Sequence, residues 1–275
     1  MKKDRKKEKL IGRYIQNEKL VLTVYWVLRF FVVVTMVRQF FNGDYQSVLV
    51  CILTLVLFML PSIIERRLHV DLPDTLEIVL LLFIFAAEIL GEIREFYVLV
   101  PHWDTALHTI NGFLFAAIGF CLVNLLNENK RISMSLSPFY MAVVAFCFSM
   151  TIGILWEFFE WGMDRWFGFD MQKDTVMNAI SSVSLHPQGR NDAITLKDIS
   201  DVIVVFADGT QKSLGLGGYL DIGLQDTMKD LLVNLIGAVV FSFLGYFYVK
   251  TRGKGRVAKH FIPTVIDVSG QEKDA

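Results

Sequence analysis

Charge is scarce in this chain: Asp, Glu, Lys and Arg make up 20% of its 275 residues, against 53% hydrophobic residues. So lean a charge complement, with the apolar residues gathered in long blocks, argues against a soluble protein. Cysteine is nearly absent. Cys51, Cys121 and Cys147 all lie inside apolar segments, so no disulfide framework is expected and each reads as a small hydrophobe in helix packing. No small-x-small cleavage site follows the basic start and first apolar run, which is therefore expected to be a retained span rather than a signal peptide. The glycines of Leu214-Gly-Leu-Gly-Gly-Tyr219 lack the strand, turn and helix context of a phosphate-binding loop, so no nucleotide site is assigned. No nucleophile stands out either. Lysine and arginine crowd the two ends of the chain, an asymmetry that sets orientation in a membrane and gives poor grounds for nucleic-acid binding.

What the sequence does contain is apolar blocks long enough to cross a bilayer. The fold class expected is all-α: a polytopic transmembrane helix bundle of about six spans, with both termini cytoplasmic and a small extracytoplasmic β-hairpin insertion. Residues 1–19 form a basic cytoplasmic arm and 20–164 hold spans one to five. Residues 165–225 are the insertion, 226–249 the sixth span and 250–275 a cytoplasmic tail. Within the insertion, Val202 to Leu214 reads as a hairpin, because Asp208-Gly209 supplies the positive φ angles of a tight turn. Arg29 falls near mid-membrane in the first span, where an acidic partner on a neighbouring helix is expected. Glu88 on the third span (76–90) and Glu92 just beyond it are candidates for pairing with Arg29, Arg38 or Arg94.

Three helices carry polar stripes of one design. On the fifth span Ala142, Ala145, Ser149, Gly153, Glu157, Glu160 and Asp164 share a face, small residues first and carboxylates last. On the fourth, Asp104, His108, Asn111 or Gly112, Ala116 and Gly119 repeat the pattern from its other end. On the sixth, Asp226, Asp230, Asn234, Ala238 and Ser242 recur every four residues. The expected topology puts all three acidic ends in the outer half of the membrane. Carboxylates cannot face lipid cheaply, so these stripes are expected to look into protein or a wet cavity.

One imidazole with several carboxylates suits a hard or borderline divalent cation, manganese, zinc, iron or magnesium. The expected ligands are His108, Glu157, Glu160 and Asp230, oriented or walled by Glu88, Asp104, Asn111, Trp156, Trp161, Asp164, Asp226 and Asn234. That set points to a metal-dependent hydrolase or transferase acting on a lipid or cell-envelope precursor from the outer face of the bilayer. The same acids would serve a proton- or ion-coupled transporter, and the hairpin would equally suit a structural envelope protein that recruits a partner.

Three stretches carry a family resemblance: Trp103-Asp104-Thr-Ala-Leu-His108-Thr-Ile-Asn111-Gly112-Phe113, Gly153-Ile-Leu-Trp156-Glu157-Phe-Phe-Glu160-Trp161, and Asp226-Thr-Met-Lys-Asp230-Leu-Leu-Val-Asn234-Leu-Ile-Gly237-Ala238. Together they resemble the YjdF-like family of bacterial inner-membrane proteins. The third also resembles the VanZ-like proteins associated with glycopeptide resistance. The resemblance covers roughly residues 76–248 and implies a multi-pass protein of the bacterial plasma membrane without an activity to carry over.

Overall fold

The computed structural model describes residues 2–68, 70–128, 135–251, 260–262 and 264–265. The expected cytoplasmic residues Lys130 and Arg131, and the tail segment 252–259, lie outside the described residues. The protein is mostly helical, with small antiparallel strand pairs. Its chain divides into two compact units, 1–153 with 232–275, and 154–231, the division falling within two long helices.

The first unit opens with α1 (Lys2–Asn42), α2 (Tyr45–Leu57) and α3 (Leu60–Leu68). Strand β1 (Val70–Asp71) and α4 (Asp74–Phe85) follow, and α4 continues into a π-helix, Ala86–Ile93. Next come α5 (Phe96–Leu99), α6 (Trp103–Glu128) and α7 (Pro138–Phe167). The later helix α8 (Leu224–Lys250) returns the chain to this unit, where β8 (Thr264–Val265) pairs antiparallel with β1. The turn into α2 is locally encoded. Gly43 takes φ +77, and the Asp44 carboxylate accepts from the Ser47 amide at 3.1 Å. The Ser47 hydroxyl, helped by that N-cap amide, holds the Asp44 carboxyl below the usual carboxylate range.

Five helical stretches are long and apolar enough to cross a membrane: Lys19–Asn42, Tyr45–Arg67, Trp103–Asn124, Pro138–Phe167 and Leu224–Lys250. The expected third span falls on α4 and its π-helical continuation, which is not among the five. A π turn closes i→i+5 bonds, so the α-helical 3.6 period stops at Ala86. Arg29 also differs from expectation. Its guanidinium lies 4.3 Å from the centre of the Tyr25 ring, and its Nε finds no hydrogen-bond partner among the described residues. A cation–π contact thus stands where an acidic partner was expected.

Small residues let α6, α7 and α8 approach closely. Ala116, Ala117, Ala145 and Ala238 are fully buried with Phe120, Met141 and Phe241 in one apolar cluster. The tail returns to that cluster: Ile262 is buried in it, and the Phe261 ring meets Phe113 edge-on at 5.0 Å. A second cluster joins α1, α2 and α4 through Leu28, Val32, Cys51, Phe58, Leu81 and Ile84.

The second unit holds the end of α7, the start of α8 and the segment between them. That segment forms β2 (Val176–Met177), β3 (Ile180–Ser182), β4 (Ile194–Leu196), β5 (Ile203–Val205), β6 (Gln211–Ser213) and β7 (Tyr219–Leu220). The expected hairpin is β5–β6, with Val204 opposite Lys212 and Gly209 at φ +82. Sequence reading missed the other two pairs, β2–β7 and β3–β4. Strands of two or three residues are too short to display a period of two.

Candidate metal centre

Helical spacing governs which polar groups come together. On α6, Asp104 and His108 are one turn apart, and His108 Nε2 lies 3.4 Å from the Asp104 carboxylate. On α7, Trp156 Nε1 donates to Glu160 Oε1 at 2.8 Å, so the indole holds that carboxylate while Glu157 projects one residue further round. On α8, Lys229 Nζ stands 3.6 Å from Asp226 and 3.8 Å from Asp230. His108 is 8% exposed, Glu157 4%, Glu160 8% and Asp230 1%. Removing carboxylates and an imidazole from water carries a desolvation cost that a cation, a proton or hydrogen bonds must offset.

Histidine and carboxylate groups here are arranged so that they could hold a metal ion. The sets are Asp104, His108 and Asp230, and His108, Glu157 and Glu160; within each, one ligand atom per residue lies within 4.8 Å of the others. His108 is common to both. A set of oxygens with one imidazole nitrogen matches the preferences of manganese, magnesium, iron or zinc.

One turn further along α6 and α8, Asn111 Nδ2 donates to Asn234 Oδ1 at 3.3 Å, and Asn234 Nδ2 points to Met150 Sδ at 3.6 Å. Ser149 donates to the Gly112 carbonyl at 2.7 Å. These contacts need bare backbone. A Cβ on Gly112 would overlap the Asn234 carbonyl, one on Gly237 the Thr109 carbonyl, and one on Gly153 would sit 2.7 Å from Asn234 Nδ2. Gly112, Ser149 and Gly153 of the stripes are thus where these helices meet, joined by Gly237, which lies beside the sixth-span stripe rather than on it.

Other expected residues have different surroundings. Asp164 accepts from the amides of Met171 and Gln172 at 2.6 and 2.9 Å, which anchors the loop after α7. Asp226 accepts from the Lys173 amide at 2.9 Å. Trp161 is exposed, its ring 5.6 Å from Trp166, and Glu88 lies in the π-helix outside both metal-capable sets. Beyond the helix ends the loops are acidic as well. Burial pushes the Asp174 carboxyl up, and the charges of Asp170, Asp221 and Asp164 add to it against one hydrogen bond from the Gly223 amide.

Sequence comparison agrees with the membrane architecture. A curated protein of Thermotoga maritima, described as uncharacterized, is 24% identical over 105 residues, 38% of this chain and 52% of that protein. The chain therefore spans about half the length of that relative. No solved structure matches. The model of a family of predicted membrane proteins, DUF2238, matches residues 23–251, and the chain belongs to that family.

Proposed function

We propose that this protein is a metal-dependent enzyme of the bacterial plasma membrane, a hydrolase or transferase acting on a lipid-linked or cell-envelope precursor. In this reading His108, Glu157, Glu160 and Asp230 hold a divalent cation. The bound ion would polarise a phosphoryl or carbonyl oxygen, or lower the pKa of a water. Asp104 orients the His108 imidazole, Trp156 fixes the Glu160 carboxylate, and Lys229 balances charge beside Asp226 and Asp230. A six-span topology, with both ends cytoplasmic and residues 165–225 outside, would put the site at outer head-group depth. We further read the three motifs as YjdF-like, with VanZ-like character in α8.

The observation that carries this reading is the sharing of His108 by two carboxylate sets, each with ligand atoms inside 4.8 Å. Stripes that served only packing would have no reason to gather donors around one imidazole. Transport fits less well. Beyond Asn234, α8 packs Ala238 and Phe241, fully buried with Ala116, Phe120 and Ala145, so the path from Asn234 towards Ser242 runs through apolar packing. Elemental analysis of the detergent-purified protein beside Glu157→Ala and Asp230→Ala tests the reading. A divalent metal near one equivalent in the parent, lost from both folded variants, is expected; equal metal content in all three would overturn it.

A further inference from the structure

We propose that the groove where the start of α7 meets the end of α8 binds one acidic glycerophospholipid, its phosphate at the rim and its acyl chain inside. The groove is open, with a volume of about 450 Å³, and Phe139, Ala142, Phe146, Val239, Ser242 and Tyr246 are among the side chains lining it. That volume lies in the range of clefts that hold small ligands, about 300–1,000 Å³. The lining alone would fit any apolar occupant. Three polar features narrow the choice.

At the rim, Lys250 Nζ stands 3.3 Å from the Tyr246 hydroxyl and 5.4 Å from its ring centre, so a cation is fixed where α8 ends. Phe139, the second residue of α7, lines the same groove, which puts the positive end of a 30-residue helix beside that cation. A phosphate diester completes both. Deeper in, the Ser242 hydroxyl is buried and has no hydrogen-bond partner among the described residues. It lies one turn below Tyr246, about 6 Å of helical rise. An ester carbonyl sits at a comparable distance from the phosphate of the same lipid, so one molecule satisfies rim and hydroxyl together. Below Ser242 the wall is apolar, as an acyl chain requires. The inferred topology places Lys250 at the cytoplasmic surface, whose leaflet carries acidic lipids.

Native mass spectrometry of the full-length protein in mild detergent, titrated with phosphatidylglycerol or phosphatidylcholine, decides the matter. The parent is expected to retain one phosphatidylglycerol at least about tenfold more strongly than phosphatidylcholine, the worth of one charge-assisted hydrogen bond. Lys250→Gln should remove that preference, Ser242→Ala should weaken both lipids, and Ala142→Phe, which fills the groove, should abolish both adducts. Equal phosphatidylglycerol retention by the parent and Lys250→Gln, or an adduct surviving in Ala142→Phe, would overturn the proposal. A parent dimer lost in Ala142→Phe would do the same, because the occupant would then be a second copy. If Ala142→Phe does not fold, Lys250→Gln and Ser242→Ala decide alone.

Discussion

Adding a single methyl group at Gly237 or Gly112 tests the close packing of α6 against α8. Each glycine faces the other helix's backbone: Gly237 meets the Thr109 carbonyl and Gly112 the Asn234 carbonyl. Neither obstacle is a side chain that can rotate away. The helices would have to part by roughly 1 Å or more before an alanine methyl reached van der Waals separation. Overpacking costs about 1–3 kcal/mol, and a rigid obstacle on both sides puts Gly237→Ala near the top of that range. At about 2–4 °C per kcal/mol, the melting temperature should fall by roughly 6–12 °C. Gly245→Ala is the control, since its methyl would meet the Phe120 ring at 2.9 Å, and a ring can pivot. The double variant carries the sharper expectation. Once the first methyl has parted the helices, the second finds room, so Gly112→Ala/Gly237→Ala should cost less than the sum of the singles. Thermal unfolding in detergent, followed by circular dichroism, would refute the close approach if Gly237→Ala melted within about 2 °C of the parent, or if the two losses simply added.

Two further outcomes concern the loops. The Asp201 carboxylate accepts from the Ser213 hydroxyl, and from the amides of Gly215 and Val202 at 2.8 Å each; the hydroxyl does most to hold its pKa below the ordinary value. Because the folded pKa is depressed, this stabilisation is present above the unfolded value near pH ~4 and lost as pH falls through the folded one. Protection of amides 202–214, with exchange corrected for its intrinsic pH dependence, should therefore fall on acidification below pH ~4, and Asp201→Asn should show low protection already at neutral pH. Ile222 is 81% exposed at φ +54, where a β-branched side chain is strained. Ile222→Gly should slow exchange of the neighbouring amides, a gain of about 1 kcal/mol; faster exchange would mean that the side chain supports the loop.

The helices were legible because a bilayer demands long apolar runs, and the hairpin because Asp208-Gly209 names its own turn. The stripe periodicity likewise singled out His108, Glu157, Glu160 and Asp230, which are among the residues the two metal-capable sets contain. What periodicity could not distinguish was the use made of an acid. Asp164 shares the face of Glu157 and Glu160, yet loop amides take its carboxylate. Trp156 and Trp161 looked equivalent, but only Trp156 lies one turn from a carboxylate it reaches. The π-helix escaped notice because Ala86–Ile93 has no proline or other mark of changed hydrogen bonding. The packing of Phe261 and Ile262 was equally hidden, since two apolar residues in a basic tail give no periodic signal.

The two-residue pairing of β2 with β7 has a consequence out of proportion to its size. Val176 faces Leu220 and Met177 faces Tyr219, so the chain is tied off just after it leaves α7 and just before it enters α8. Everything from 178 to 218 is then a closed loop whose entropy depends only weakly on length, each doubling costing about 0.6 kcal/mol. Sequence can be added there, for instance at Gly189, where the backbone takes φ +62 and open space surrounds the Cβ position. The helix ends would not register the insertion. The knot of backbone at 176–177 and 219–220 makes the intervening segment a cassette, free to diversify or to carry a graft while the ends of α7 and α8 stay as they are.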